Sequence, residues 1–408
     1  MSQSPTRKIL IFSLAYYPKY VGGAEIAIKE ITDRIASNDI AFDMITLRFD
    51  SALPNKERVG NITVYRIGPT RRDPSMDELV RLPMYLVKVL YPLLAAWKAF
   101  WLNRAKKYDG AWAMMSYMGF PLVILRFVFL TNIPYVLTFQ EGDSIEHVTR
   151  RWRIRIVSFL YTPIYRYPRI VQTISTYLAG FARDMGYKGP LEVVPNAVDT
   201  KYFSQPFSFD ELTKLRVALG KKEGEKFLIT TSRLVSKNAV DVVIRSLAFL
   251  PRSVKFLVLG IGPDEALLRK LAIYENVSDR VIFLGHIDRT EMPKYLKISD
   301  VFIRPSRSEG MGISFVEAMA AGIPVVATQV GGITDFLFDP KQNPDKEPTG
   351  LYVDVEDPED TARAVRELLE NAGLRERCIQ NAKRMVKEKY DWDLIAKNMR
   401  ERVFAALF

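Results

Sequence analysis

Val301-Phe302-Ile303 and, directly after Arg304, Pro305-Ser306-Arg307-Ser308-Glu309-Gly310-Met311-Gly312-Ile313-Ser314-Phe315-Val316-Glu317-Ala318-Met319-Ala320-Ala321-Gly322-Ile323-Pro324-Val325-Val326-Ala327 form the stretch on which the fold turns. It reads as a buried strand, a glycine-bearing loop, an apolar helix, a turn and a second strand. Gly310 and Gly312 leave the backbone bare where the helix should begin. Unpaired amides and the positive end of the helix dipole gather there, which favours an anion such as phosphate. Glu317 falls within an otherwise apolar turn, where a carboxylate is costly unless a polar group meets it. A ligand hydroxyl would meet that need; so would a structural partner in a generic strand–helix–strand unit.

Glu309 and Glu317 have seven residues between them, and Glu317-Ala318-Met319-Ala320-Ala321-Gly322 leads into Pro324-Val325-Val326-Ala327. This pattern resembles the Glu-x7-Glu signature of retaining, family-four-type (group 1) glycosyltransferases of the GT-B fold. The resemblance implies an α/β protein with two doubly wound, Rossmann-like domains facing across a cleft, and a C-terminal helix that crosses back to the first domain.

Length and composition fit that expectation. A chain of 408 residues is too long for one ordinary core. Its 48% hydrophobic and 26% charged residues suit a globular protein. The single Cys378 excludes an internal disulfide and suits a reducing, cytoplasmic compartment. With only His147 and His286, a histidine-rich metal site is disfavoured, and no metal ligand set is assigned. Residues 1–205 hold 27 Lys and Arg against 17 Asp and Glu, so most of the net +11 lies in the first half. That bias favours anionic partners. Met84 to Leu102 is the most membrane-like run, but Lys88, Pro92 and Lys98 interrupt it, so no spanning helix is expected. Ile9 to Ala15 reads better as a first buried strand than as a signal core.

Taken in order, Lys8 to Leu14 is a strand, Gly22-Gly23 a loop, and Ala24 to Ile35 a helix. A glycine pair at that place lets backbone approach a phosphate; the resemblance makes it the loop facing the donor diphosphate. Strands are expected at Phe42–Leu47, Ile62–Ile67, Ala111–Met115, Pro134–Phe139 and Arg169–Thr173. Tyr85–Leu94 and Ala95–Lys107 read as two aromatic-rich amphipathic stretches, and Arg150 to Arg155 adds four arginines around Trp152. Such segments suit either an anionic membrane surface, with the protein peripheral at its inner face, or packing on the sheet with solvated cations. In the resembled family a histidine faces the donor sugar where this chain has Gln140, which hydrogen-bonds but does not titrate near neutral pH. Glu141 and Asp143 are candidates for acceptor contact, or a polar turn. The first domain is placed at 1–204 with 390–408, the second at 205–389, with Phe203 to Glu211 as linker.

In the second half, Phe227–Thr231 is a strand followed by Ser232-Arg233-Leu234-Val235-Ser236-Lys237. This is similar to the family's loop in which Arg233 and Lys237 would clamp the donor diphosphate. Asn238 stands where the family has glycine, as a residue tolerant of left-handed backbone. Gly260-Ile261-Gly262 is a weak dinucleotide hint without the full spacing. Ile287, in the turn after Val281–Gly285, is placed near the nucleobase by the resemblance. Asp354 to Pro358 reads as a helix start with proline in its first turn.

Together these residues imply transfer of a hexose from a nucleotide-diphosphate sugar to a glycan or lipid-linked acceptor hydroxyl, with retention and without metal or other cofactor. Arg233, Lys237, Gly22, Gly23, Gly312 and Ile313 would stabilise the departing diphosphate. Glu317 would hold the ribose, and Glu309 the sugar hydroxyls. The alternatives are a sugar-nucleotide epimerase or hydrolase of the same fold, or a non-catalytic basic lipid or nucleic-acid binder. The last is disfavoured for nucleic acid because no such module is recognisable.

Overall fold

The computed structural model describes residues 6–74, 78, 81–140 and 162–408. These divide into two compact units. The first takes the described residues up to 140, residues 162–196 and Trp392–Phe408, and the second is Ala197–Asp391.

The first unit is built on β1 (Arg7–Phe12), β2 (Ile40–Leu47), β3 (Lys56–Val59), β4 (Ile62–Ile67), β5 (Gly110–Met114), β6 (Tyr135–Phe139), β7 (Ile170–Thr173) and β8 (Leu191–Val193). Their order in the sheet is β3-β4-β2-β1-β5-β6-β7-β8, parallel except for the β3–β4 pair. Ile9, Leu10, Ile11 and Phe12 have no exposed surface, which is why β1 is apolar without alternation. From β1 the chain winds outward to one side through β2 and β4, then resumes on the other with β5. The order therefore reverses beside β1, and α1 (Gly23–Asp33) starts there.

The two stretches expected at Tyr85–Leu94 and Ala95–Lys107 are one helix, α2 (Met84–Lys106), with Pro92 inside it. Proline has no N–H for the carbonyl four residues back. The Tyr117 hydroxyl takes that place, donating to the Lys88 carbonyl at 2.9 Å and to Val89 at 3.3 Å. Uninterrupted by its proline, this helix is long and apolar enough by composition to cross a membrane. Its neighbour is α3 (Phe120–Phe127).

The C-terminal segment, expected as one amphipathic helix, is an α-helix at Trp392–Asn398, a π-turn at Met399–Val403 and a 3-10 turn at Phe404–Leu407. Phe404 packs edge-on to Trp112 at 5.1 Å between ring centroids, and Arg400 pairs with Asp39 at 2.8 Å. The segment is thus part of the first unit's core.

In the second unit β9 (Lys226–Thr231), β10 (Val254–Leu259), β11 (Val281–Gly285), β12 (Val301–Arg304), β13 (Val325–Ala327) and β14 (Leu351–Tyr352) form an all-parallel sheet. Their order is β11-β10-β9-β12-β13-β14. The unit begins at Ala197 rather than 205, and the expected linker is not one. Phe203 is fully buried in the short helix Thr200–Ser204, and Ser208 caps the helix Phe209–Ala218. The Val198 amide donates to the Tyr390 carbonyl at 2.9 Å and Thr200 bonds Asp391 at 2.6 Å, so these two segments are stitched side by side.

Candidate functional site

In an open parallel sheet, loops on either side of the point where strand order reverses diverge and leave a crevice at the C-terminal strand ends. In the second unit that point lies between β9 and β12. The loop after β9 carries Arg233 and Lys237, and the loop after β12 carries Glu309 and Gly312.

The β9 loop is held by backbone, not by its charges. The Ser232 amide donates to Leu259 at 2.9 Å, and the Leu234 amide to Ile261 at 3.0 Å. Gly260 and Gly262 lie directly beneath: a Cβ on Gly260 would fall 1.9 Å from the Ser232 oxygen, and one on Gly262 2.1 Å from the Leu234 oxygen. Their absent side chains serve this close approach, so the Gly-x-Gly after β10 is the floor of the Arg233 loop. Asn238 does not take the left-handed backbone expected of it. It lies in the 3-10 turn Ser236–Asn238 and donates its side-chain amide to the Arg233 carbonyl at 2.6 Å, while Ala239 carries the positive φ of 52°. The exposed Arg233 guanidinium has no hydrogen-bond or ion-pair partner among the described residues.

A second tie joins this loop to the one after β12. The Arg307 amide donates to the Lys237 carbonyl at 2.8 Å, and its guanidinium bonds both Asp241 oxygens at 2.9 and 2.7 Å and Glu356 at 2.8 Å. Those two carboxylates hold Arg307 protonated more firmly than usual, and Arg307 lowers the pKa of Asp241 and Glu356.

Glu309 is held by a residue that the spacing of the motif does not single out. Arg304, the last residue of β12, is 5% exposed and donates to Glu309 Oε2 at 2.6 Å, to Ser314 Oγ at 2.8 Å and to Ser306 Oγ at 3.2 Å. Its guanidinium lies over the Phe315 ring at 4.3 Å. The chain does carry a signal for it: a lone arginine closing a buried apolar strand five residues before Glu309 needs a buried anion. Glu309 therefore carries a compensated charge, and its other oxygen accepts the Gly310 amide at 3.1 Å. Gly331, with φ 56°, fits against the Glu309 backbone, where a Cβ would fall 1.9 Å from its carbonyl oxygen.

The helix α4 (Ile313–Ala321) starts at Gly312, whose φ of 92° is left-handed and whose Cβ would meet Phe315 at 2.6 Å. No side chain caps this end; the Phe315 amide donates to the Gly312 carbonyl at 3.1 Å, and the Ile313 and Ser314 amides have no side-chain cap. Glu317, one turn further, has no hydrogen-bond or ion-pair partner among the described residues. Burial pushes its carboxyl up to about 7, against the opposing pull of Arg289 and Arg304. Ile287 lies in the loop after β11, tied to the loop after β10 by the Gly260 amide donating to Gly285 at 2.7 Å.

The structure thus brings Arg233, Lys237, Ile287, Glu309, Gly312, Ile313 and Glu317 to one end of one sheet. Gly22, Gly23 and Gln140 lie in the first unit. Gly22 precedes α1, with its amide donating to Glu25 at 2.8 Å, and nothing stands within 4 Å of where a Gly23 Cβ would be. Gln140 and Asn196 exchange side-chain hydrogen bonds at 3.2 and 3.3 Å. Glu141 and Asp143, and the arginines at 150–155, lie outside the described residues.

The family model for glycosyltransferase family 4 matches residues 21–202, and that for glycosyl transferases group 1 matches residues 212–385. An uncharacterized glycosyltransferase of Methanocaldococcus jannaschii is 28% identical over 400 residues, covering 96% of each chain. The GDP-mannose-dependent alpha-(1-6)-phosphatidylinositol monomannoside mannosyltransferase of Mycobacterium tuberculosis is 33% identical over 242 residues, 56% of this chain and 60% of that enzyme. Among solved structures, sucrose-phosphate synthase from Thermosynechococcus elongatus superimposes with a TM-score of 0.77 at 22% identity, covering 98% of this chain and all of the other. The Anabaena HepE complex with UDP and glucose gives 0.75 at 20%, with 98% and 100% covered. At these identities the two structures establish the fold.

Proposed function

Since the chain belongs to the group 1 glycosyltransferases of the GT-B fold, we propose that it is a retaining hexosyltransferase that works without a metal ion on a glycan or lipid-linked acceptor. The observation that carries this reading is the grouping at the β9–β12 reversal: two cations, a helix start without a side-chain cap, and the carboxyl of Glu317, which has no partner among the described residues. The mycobacterial relative, named for a phosphatidylinositol mannoside substrate, supports a lipid-linked acceptor.

In this mechanism Arg233, Lys237 and the amides at Gly312 and Ile313 bind the donor diphosphate. The backbone that carries them is fixed before reaction, and they stand where negative charge grows as the bond from the anomeric carbon to phosphate breaks. That cationic set does the work a divalent ion would otherwise do. The acceptor oxygen bonds the anomeric carbon from the same face, and its proton passes to the departing phosphate oxygen. Glu309 orients the sugar through its hydroxyls. Its pairing with Arg304 leaves little net charge to stabilise a developing cation, so its part is positioning.

Glu317 accepts the ribose hydroxyls, and this makes donor affinity pH-dependent. Its carboxyl is raised from 4.5 to about 7, so the folded protein holds more protons than the unfolded chain between those values. Stability falls as pH rises through that window, by at most about 3 kcal/mol, and the loss is complete above it. Glu317→Gln should therefore melt higher than the parent at pH 8. It should also bind nucleotide diphosphate more weakly there, because the deprotonated carboxylate is the better acceptor. Equal melting and equal affinity at pH 8 would contradict both roles.

The whole reading is tested by thermal unfolding against UDP, GDP and ADP, then by the anomeric proton signal of the product made in the presence of EDTA. One nucleotide at a hundredfold its Kd should add about 2.7 kcal/mol to the unit that binds it. Transfer should persist in EDTA and give the donor's own anomer. No shift with any nucleotide, an inverted product, or activity abolished by EDTA and restored by Mg2+ would overturn the corresponding part.

A further inference from the structure

The outer face of α2 has no role in the donor site. Leu86, Leu90, Leu93, Trp97 and Trp101 recur every three or four residues along it, and each is between 49% and 57% exposed. That spacing sets them in one stripe roughly 22 Å long at a rise of 1.5 Å per residue. The opposite face is spent on the fold: Ala95, Ala96 and Ala99 have no exposed surface, and the Tyr91 hydroxyl donates to the Ile45 carbonyl of β2 at 2.9 Å.

The segment after α3 widens the stripe. Phe129 stacks on Phe100 at 5.1 Å and lies 5.9 Å from Trp97, while its neighbours Val128 and Leu130 are 68% and 87% exposed. A continuous apolar surface of this size on a folded protein marks an interaction site.

Charge selects the occupant. Residues 81–130 contain seven Lys and Arg and one acid, Asp109, which is engaged by Arg7 at 3.3 Å and the Lys8 amide at 2.8 Å. The exposed Arg104 lies over the Phe100 and Trp101 rings at 5.5 and 5.9 Å, and Arg81 and Lys107 are exposed near the two ends of the helix. Tryptophans beside cations, with apolar side chains between, match the headgroup boundary of an anionic bilayer. A second copy of the chain meeting this face about a two-fold axis would bring like-charged rims together.

We propose that this face of the first unit docks on an anionic lipid surface, with α2 lying in the plane of the interface. The helix does not span, because its inner face is committed to β2 and crossing would strip Tyr91 and the alanine row from the core. Only the outer stripe enters the headgroup region. The proposal stands independently of the donor site, although it would bring that site to a lipid-linked acceptor.

The test is co-sedimentation of the full chain with vesicles of phosphatidylcholine alone or with about 30 mol% phosphatidylglycerol, at two salt concentrations. The protein should bind the mixed vesicles, bind less at higher salt, and ignore neutral ones. Leu93→Glu with Trp97→Glu should weaken binding at least about tenfold. Tyr274→Glu, at a still more exposed site in the second unit, should leave it unchanged. If the double variant fails to fold, Trp97→Ser and Trp101→Ser serve in its place, read by the same co-sedimentation. No binding to either vesicle, undiminished binding by folded variants, or a dimer in sedimentation velocity that the same substitutions dissociate would overturn the proposal.

Discussion

Replacing Arg233 and Lys237 together by alanine should lower sugar transfer by at least about a hundredfold while the protein remains folded. The expectation of intact folding rests on the ties that hold their loop. The Ser232 and Leu234 amides, the Asn238 side chain, the Arg307 amide and the close approach of Gly260 and Gly262 all engage backbone atoms of the loop. Removing two side-chain charges leaves each of these ties in place, so the melting temperature should move little. The expected loss is large because, in the proposed mechanism, the two charges face a diphosphate whose negative charge increases during reaction. Each single substitution should cost about tenfold or more, and because both touch one diphosphate the pair need not add. The measurement is initial transfer rate with the donor identified by thermal shift. A double variant within a few-fold of the parent would remove the diphosphate from this loop.

The second large effect is on stability. Arg304→Ala should destabilise the second unit by about 3–5 kcal/mol, the cost of leaving a buried carboxylate without its counter-ion. Glu309 has 15% of its side-chain surface exposed, so water replaces the lost guanidinium poorly. Ser306 and Ser314 lose their donor as well, and Phe315 loses the cation over its ring. A second substitution separates an arginine that matters for packing from one that matters as a counter-ion. If the penalty is the orphaned charge, Glu309→Gln in the Arg304→Ala background should recover part of the lost stability, although Glu309→Gln alone should not stabilise. A loss under about 1 kcal/mol, or no recovery in the double variant, would show that the pair is not what sets Glu309 in place.

Much of this could be read from residue types and spacing. The buried strands at Ile9–Phe12, Leu228–Ile229 and Val301–Ile303 announce themselves as β-branched or aromatic runs without alternation, because both faces of a parallel sheet are covered. The Gly312–Glu317 helix start is legible because left-handed backbone needs glycine and a lone acid in an apolar helix needs a reason. Arg304 is legible in principle yet easily missed, although its partner stands only five residues on. The division between Leu94 and Ala95 is not in the molecule: one helix runs through it and through Pro92, and the Tyr117 hydroxyl that takes up the Lys88 carbonyl lies 25 residues beyond the proline in sequence. The same reasoning explains Phe203, which looks like linker until its burial is known.

By itself the sequence determined the two-domain α/β plan, the buried central strands and the family, because local periodicity, turn chemistry and fixed-spacing motifs are properties of neighbouring residues; the short strands Lys56–Val59, Leu191–Val193 and Leu351–Tyr352 carry no such pattern. Only the tertiary structure decided where the strand order reverses, and so which loops share a crevice. It alone decided that Glu309 is paired with Arg304 while Glu317 has no hydrogen-bond or ion-pair partner among the described residues. It also decided which face of α2 is spent on β2 and which stays open. These are relations between residues distant in the chain, and burial and pairing at long range are fixed by packing rather than by local pattern.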